Sequence, residues 1–166
     1  MPEGENEWSE SLLRSSSTLS VGSFVIGTWM AFLTMLNIVL GAYSEGMKVN
    51  WIDFFMNGND TNSTHEIGIE MGDIAFGILS IIVIFIGYVG IAASTEGGFG
   101  RWIKNLPRDV KITSLFSSEN GVERTLASWM VLLGGLFYFV WSIIETTWVD
   151  PGVYSVTISL IAIGIG

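Results

Sequence analysis

The chain alternates between long uncharged apolar runs and short polar segments. Val21–Tyr43 carries no charge over its length, and roughly 20 such residues suffice to cross a bilayer as a helix. A second run covers about Met71–Ala93, with Asp73 near its start, and a third about Leu126–Ile144, with Glu145 at its end. A fourth begins near Val153, after the turn signal Asp150-Pro151-Gly152. Its fourteen residues to Gly166 make a helix of about 21 Å against a hydrocarbon core of ~30 Å. The pattern predicts an all-α integral membrane protein with spans near 21–43, 71–93, 126–144 and 153–166. Residues 1–20 form an acidic, serine-rich tail, and two loops cover 44–70 and 94–125.

Small residues recur at three- and four-residue spacing on each span, the pattern by which helices approach closely where lipid offers no hydrophobic drive to associate. These faces are Gly27, Ala31, Thr34 and Gly41 on the first span, and Asp73, Gly77, Ser80, Gly87 and Ser94 on the second. The third shows Ser128, Gly135, Tyr138, Ser142 and Glu145, and the fourth Ser155, Ser159, Ala162 and Gly166. They predict a four-helix bundle, with Gly134, Ala75, Gly90 and Ala92 left for a second interface. Thr28-Trp29-Met30 and Ser128-Trp129-Met130 echo each other at a fixed offset. The shared composition of apolar helices is the plainer account of that echo.

Orientation follows from lysine and arginine. Arg101, Lys104, Arg108, Lys111 and Arg124, five of the seven bases, lie between the second and third spans. That loop is expected in the cytoplasm with both termini, and loop 44–70 outside. The outer loop carries the glycosylation sequons Asn59-Asp60-Thr61 and Asn62-Ser63-Thr64. Its Trp51, Ile52, Phe54, Phe55 and Met56 are too apolar for free solvent, and predict a segment that dips into the interface or covers a partner. Within 98–107, Phe99, Trp102, Ile103 and Leu106 share one helical face and Arg101, Lys104 and Asn105 the other. This is the pattern of an amphipathic helix lying in the cytoplasmic interface, ended by Pro107.

Composition narrows the chemistry. Charged residues make up 14% of 166 and the net charge is −9, which leaves no basic footprint for nucleic acid. Cysteine is absent and His65 is the single histidine, so thiolate chemistry and a bis-histidine haem are excluded. No span holds a lysine for a retinal Schiff base, and no cofactor is implied. The seven methionines are scattered, as core packing would scatter them. Asp73 and Glu145, at the outer ends of their spans, are the weak cation-site candidates, with Glu45, Glu70 and Asp150 nearby. Held together without a base, they would disfavour each other's ionisation. The expected role is that of a non-catalytic multi-pass subunit or scaffold of a larger cellular or viral membrane assembly. Its partners would be the bilayer and other membrane subunits or copies of itself. The alternative is a small cation or proton pathway with Asp73 and Glu145 at its outer mouth.

Overall fold

The computed structural model describes residues 3–44, 46–56, 62–64, 68–108, 113, 115 and 121–165, and for 3–16 and 62–64 the backbone. Its elements in chain order are α1 (Glu3–Val39), β1 (Met47–Val49), α2 (Trp51–Met56), β2 (Asn62–Thr64), α3 (Met71–Ser94), α4 (Gly98–Asn105), a 3₁₀ turn (Leu106–Arg108), α5 (Val122–Ile144) and α6 (Pro151–Ile165). Three helical stretches, Ser17–Val39, Met71–Ser94 and Val122–Ile144, are long and apolar enough to cross a membrane, which marks a membrane protein. The fourth apolar helix, α6, has 15 residues. The chain divides into two compact units, one of residues 1–35 with 70–105, the other of 36–69 with 106–166.

In the first unit α1 and α3 meet through the small residues their sequences place in register. A Cβ on Gly27 would lie 2.6 Å from the Ile84 amide nitrogen and 3.1 Å from the Ser80 carbonyl, and one on Gly87 would collide with the Phe24 backbone. Gly77 meets the Thr34 methyl at ordinary contact distance. Asp73, Phe76, Ser80, Gly87 and Ile91 form the buried face of α3, while Ile78, Ile81, Ile82, Phe85 and Ile86 stand exposed. This division suits a helix whose outer surface meets lipid. The hydroxyls of Thr28, Thr34 and Ser80 donate to carbonyls three or four residues back. No polar hydrogen of theirs is left to lipid.

Helix α1 does not begin at Val21. It runs back to Glu3, so the stretch read as a tail continues the helix. At its other end it stops at Val39 rather than Tyr43. Gly41 adopts φ +87°, its amide donates to the Leu36 carbonyl, and a Cβ there would lie 2.5 Å from the Met47 carbonyl oxygen. A left-handed glycine is the ordinary way to end a helix and reverse the chain.

In the second unit α5 and α6 form a tight pair. A Cβ on Gly134 would meet Ile161, Leu160 and the Thr157 carbonyl, each at 3.1 Å, and one on Gly164 would lie 2.5 Å from the Ala127 carbonyl. Two expectations are corrected here. Gly134, assigned to a second interface, is the buried glycine of α5, whereas a Cβ on Gly135 would meet nothing within 4 Å. On α6 the buried positions are Val153 and Thr157, and the expected face of Ser155, Ser159 and Ala162 is exposed. The preceding loop sets the rotation. Both the Tyr138 and the Tyr154 hydroxyl donate to the Trp148 carbonyl, and their rings stack at 5.5 Å. With Tyr154 turned onto α5, Thr157, Ile161 and Gly164 follow it at helical spacing.

Helix α5 also starts earlier than the apolar run, at Val122 rather than Leu126. Gly121 precedes it, and its carbonyl accepts from the Thr125 amide and hydroxyl. Loop 44–70 contains an antiparallel pair, β1 with β2, in the register Met47–Thr64, Lys48–Ser63 and Val49–Asn62.

Candidate functional site

The polar side chains of the second unit gather where α1 ends, α5 ends and α6 begins. Asn37, in the closing turns of α1, is completely buried. Its Oδ1 accepts from the Ala42 amide (3.1 Å) and the Val49 amide (2.8 Å), and its Nδ2 donates to the Val49 carbonyl (3.0 Å). One side-chain amide thus takes both main-chain groups of Val49, as a neighbouring strand would. The Ala42 carbonyl in turn accepts from the Trp148 and Val149 amides, joining the α1 turn to the α5–α6 loop. Lys48, also fully buried, donates from Nζ to the Gly68 carbonyl at 2.8 Å. Buried polar groups are tolerated when hydrogen-bonded, and here they bind backbone that strands and helices leave unpaired.

The sequence offered a signal for part of this cluster. Asn37 is the one amide side chain in an uncharged span, and a polar group at membrane depth calls for a partner. Tyr138 was marked by its place on the packing face of the third span, and Lys48 carried no comparable mark.

Each candidate carboxylate stands at a helix end. Asp73 is 2% exposed and is the third residue of α3, in a reciprocal capping box with Glu70. Its Oδ2 accepts from the Glu70 amide at 3.1 Å. Carboxylates belong at this end of a helix, where free N–H groups and the macrodipole favour negative charge. Asp150 acts likewise on α6, its Oδ1 accepting from the Gly152 and Val153 amides at 2.7 and 3.1 Å. Glu145 is exposed at the C-terminal cap of α5, its amide donating to the Trp141 carbonyl. Among the described residues no three histidine, cysteine, aspartate or glutamate side chains gather as metal ligands would.

The face of α4 divides. Phe99 and Trp102 pack edge-on against Phe24 of α1 at 5.1 and 6.0 Å, and Phe99 meets Tyr88 of α3 at 4.9 Å. Ile103 and Leu106 remain exposed, as do Arg101 and Lys104. The turn into α4 passes through Gly97 at φ +85°. A Cβ there would lie 2.7 Å from Cδ of Arg101, so the bare glycine admits the arginine stem close to the C-terminal end of α3. A cation at that end complements the helix dipole. Of the sequon residues, Asn62 pairs through its backbone with Val49, and Asn59 lies outside the described residues. Comparison with protein-family models, curated proteins and solved structures finds no match to this chain.

Proposed function

We propose that this chain is a non-catalytic multi-pass subunit or scaffold of a larger membrane assembly, in a cell or virion membrane. The observation that carries this reading is how the buried polar side chains of Asn37, Lys48, Asp73 and Tyr138 are engaged. Each is hydrogen-bonded to backbone at a helix end or in an adjoining loop. Such groups brace helices and leave little for chemistry.

Four helices cross or enter the bilayer, both termini lie in the cytoplasm, and loop 44–70, with sequons at Asn59 and Asn62, lies outside. The outward Ser155, Ser159 and Ala162 of α6 offer a further close-packing surface to a neighbouring subunit. Their helix, at about 22 Å, is short for a ~30 Å core on its own. Helix α4 rests in the cytoplasmic interface with Arg101 and Lys104 towards anionic headgroups.

The test is purification in mild detergent after chemical cross-linking. Partners at fixed stoichiometry are expected, and a monomeric chain that conducts cations when reconstituted alone would overturn the reading in favour of a pathway. An impermeant thiol reagent should label Asn59→Cys and spare Asn105→Cys in intact cells or vesicles. The reverse would invert the topology.

A further inference from the structure

Resting on the membrane reading, we infer that α2 is a lipid-inserting wedge whose tip, Phe55 and Met56, enters the headgroup–acyl boundary of the leaflet facing loop 44–70.

Asn37 belongs to a helical stretch suited to crossing a membrane, Ser17–Val39. It holds Val49 through both of that residue's main-chain groups, and α2 starts two residues later at Trp51. The short helix is therefore tied to the end of a span and cannot stand far out in water. Trp51 is buried and anchors the base. The Asn50 side chain closes the first turn, accepting from the Asp53 amide and donating to the Asp53 carboxylate. The single charge of α2 is thereby engaged at its root.

From that root the apolar side chains become progressively barer. Phe54 is 40% exposed, Phe55 66% and Met56 78%, with Ile52 bare beside them. Val39 and Leu40, at the close of the helix to which Asn37 ties this segment, are likewise more than half exposed. An apolar tip tied to the end of a span, aromatic and ending in a flexible methionine, suits a fluid apolar partner of no fixed shape. Phenylalanine and tryptophan on the apolar side of a short helix are the residues that seat it in the headgroup–acyl boundary.

The experiment exploits the absence of cysteine, since one introduced thiol carries the only spin label. Met56→Cys and Ile82→Cys are labelled separately in vesicles of phosphatidylcholine and phosphatidylglycerol. Collision with oxygen, which concentrates in lipid, is compared with collision with a water-soluble nickel chelate. Ile82, exposed within α3, reports on the membrane reading itself and should favour oxygen severalfold. At position 56 oxygen should also exceed nickel, by a smaller ratio. Nickel exceeding oxygen at 56 would place α2 in water and overturn the proposal. Shielding from both would mean that protein covers the tip, and would overturn it equally. Either result with Ile82 still favouring oxygen spares the membrane reading, and nickel access at Ile82 would sink that reading instead.

Discussion

Replacing Gly27 or Gly87 by alanine tests the close approach that orders the first unit. A methyl at Gly27 would stand 2.6 Å from the Ile84 nitrogen, against the roughly 3.5–4 Å of ordinary nonbonded contact, so α1 and α3 must separate locally by about 1 Å. A gap of that size forfeits a quarter to a half of the dispersion attraction for atoms along the crossing, and overpacking of this kind costs about 1–3 kcal/mol. Gly22 is the control, on the same helix with nothing near its missing Cβ. Alanine there removes glycine's helix penalty and should be neutral or stabilising. Because one outward movement of α3 makes room for both methyls, the double variant should cost less than the sum of the two singles, by more than about 0.5 kcal/mol. Thermal unfolding in mild detergent, followed by circular dichroism, measures all four. If Gly27→Ala and Gly87→Ala unfold together with Gly22→Ala, the helices do not meet where those glycines lie. If the double variant is additive, they do not share a single crossing.

Three further outcomes follow from the polar contacts. Asn37→Ala strips three hydrogen bonds from buried backbone, and at about 1 kcal/mol each should destabilise by roughly 3 kcal/mol and speed amide exchange at Ala42 and Val49; unchanged exchange at Val49 would remove the proposed clamp. Tyr138→Phe and Tyr154→Phe should each be mild, since the other hydroxyl still serves the Trp148 carbonyl, while the double variant leaves that carbonyl without either donor and should cost about 1–3 kcal/mol; strict additivity in unfolding would refute the shared acceptor. Asp73→Asn should destabilise by about 1 kcal/mol through loss of the capping charge, with no response to calcium. A stabilised, calcium-insensitive Asp73→Asn would instead fit two carboxylates relieved of repulsion.

The helices were legible because lipid imposes a simple rule: an uncharged run of sufficient length becomes a helix, and the second span's seam of Asp73, Gly77, Ser80 and Gly87 falls where the spacing puts it. Rotation about a helix axis was legible only where the small residues offered one face. On α5 the neighbours Gly134 and Gly135 both fit the period, and on α6 serines and alanine offered a face as plausible as the one used. The choice lies outside both helices, in the Trp148 carbonyl that gathers Tyr138 and Tyr154. The ends were the hardest to read. Gly41 terminates α1 inside an apolar run, and the strand pair of 47–49 with 62–64 depends on an asparagine ten residues before it, an association that no local pattern in loop 44–70 encodes.

The same difference accounts for the acids. Read along the chain, Asp73 and Glu145, with Glu45, Glu70 and Asp150 nearby, are weak cation-site candidates at the outer ends of spans. In the fold Glu70, Asp73 and Asp150 occupy the first turn of a helix or the residue just before it, where free amides need acceptors and lipid supplies none. A helix entering a bilayer must satisfy those amides at the boundary, and a carboxylate does so while keeping its charge near water. Acids clustered at span ends are thus an expected cost of starting helices there. A cation site needs more than their number: it needs carboxylate oxygens beyond those that make the caps.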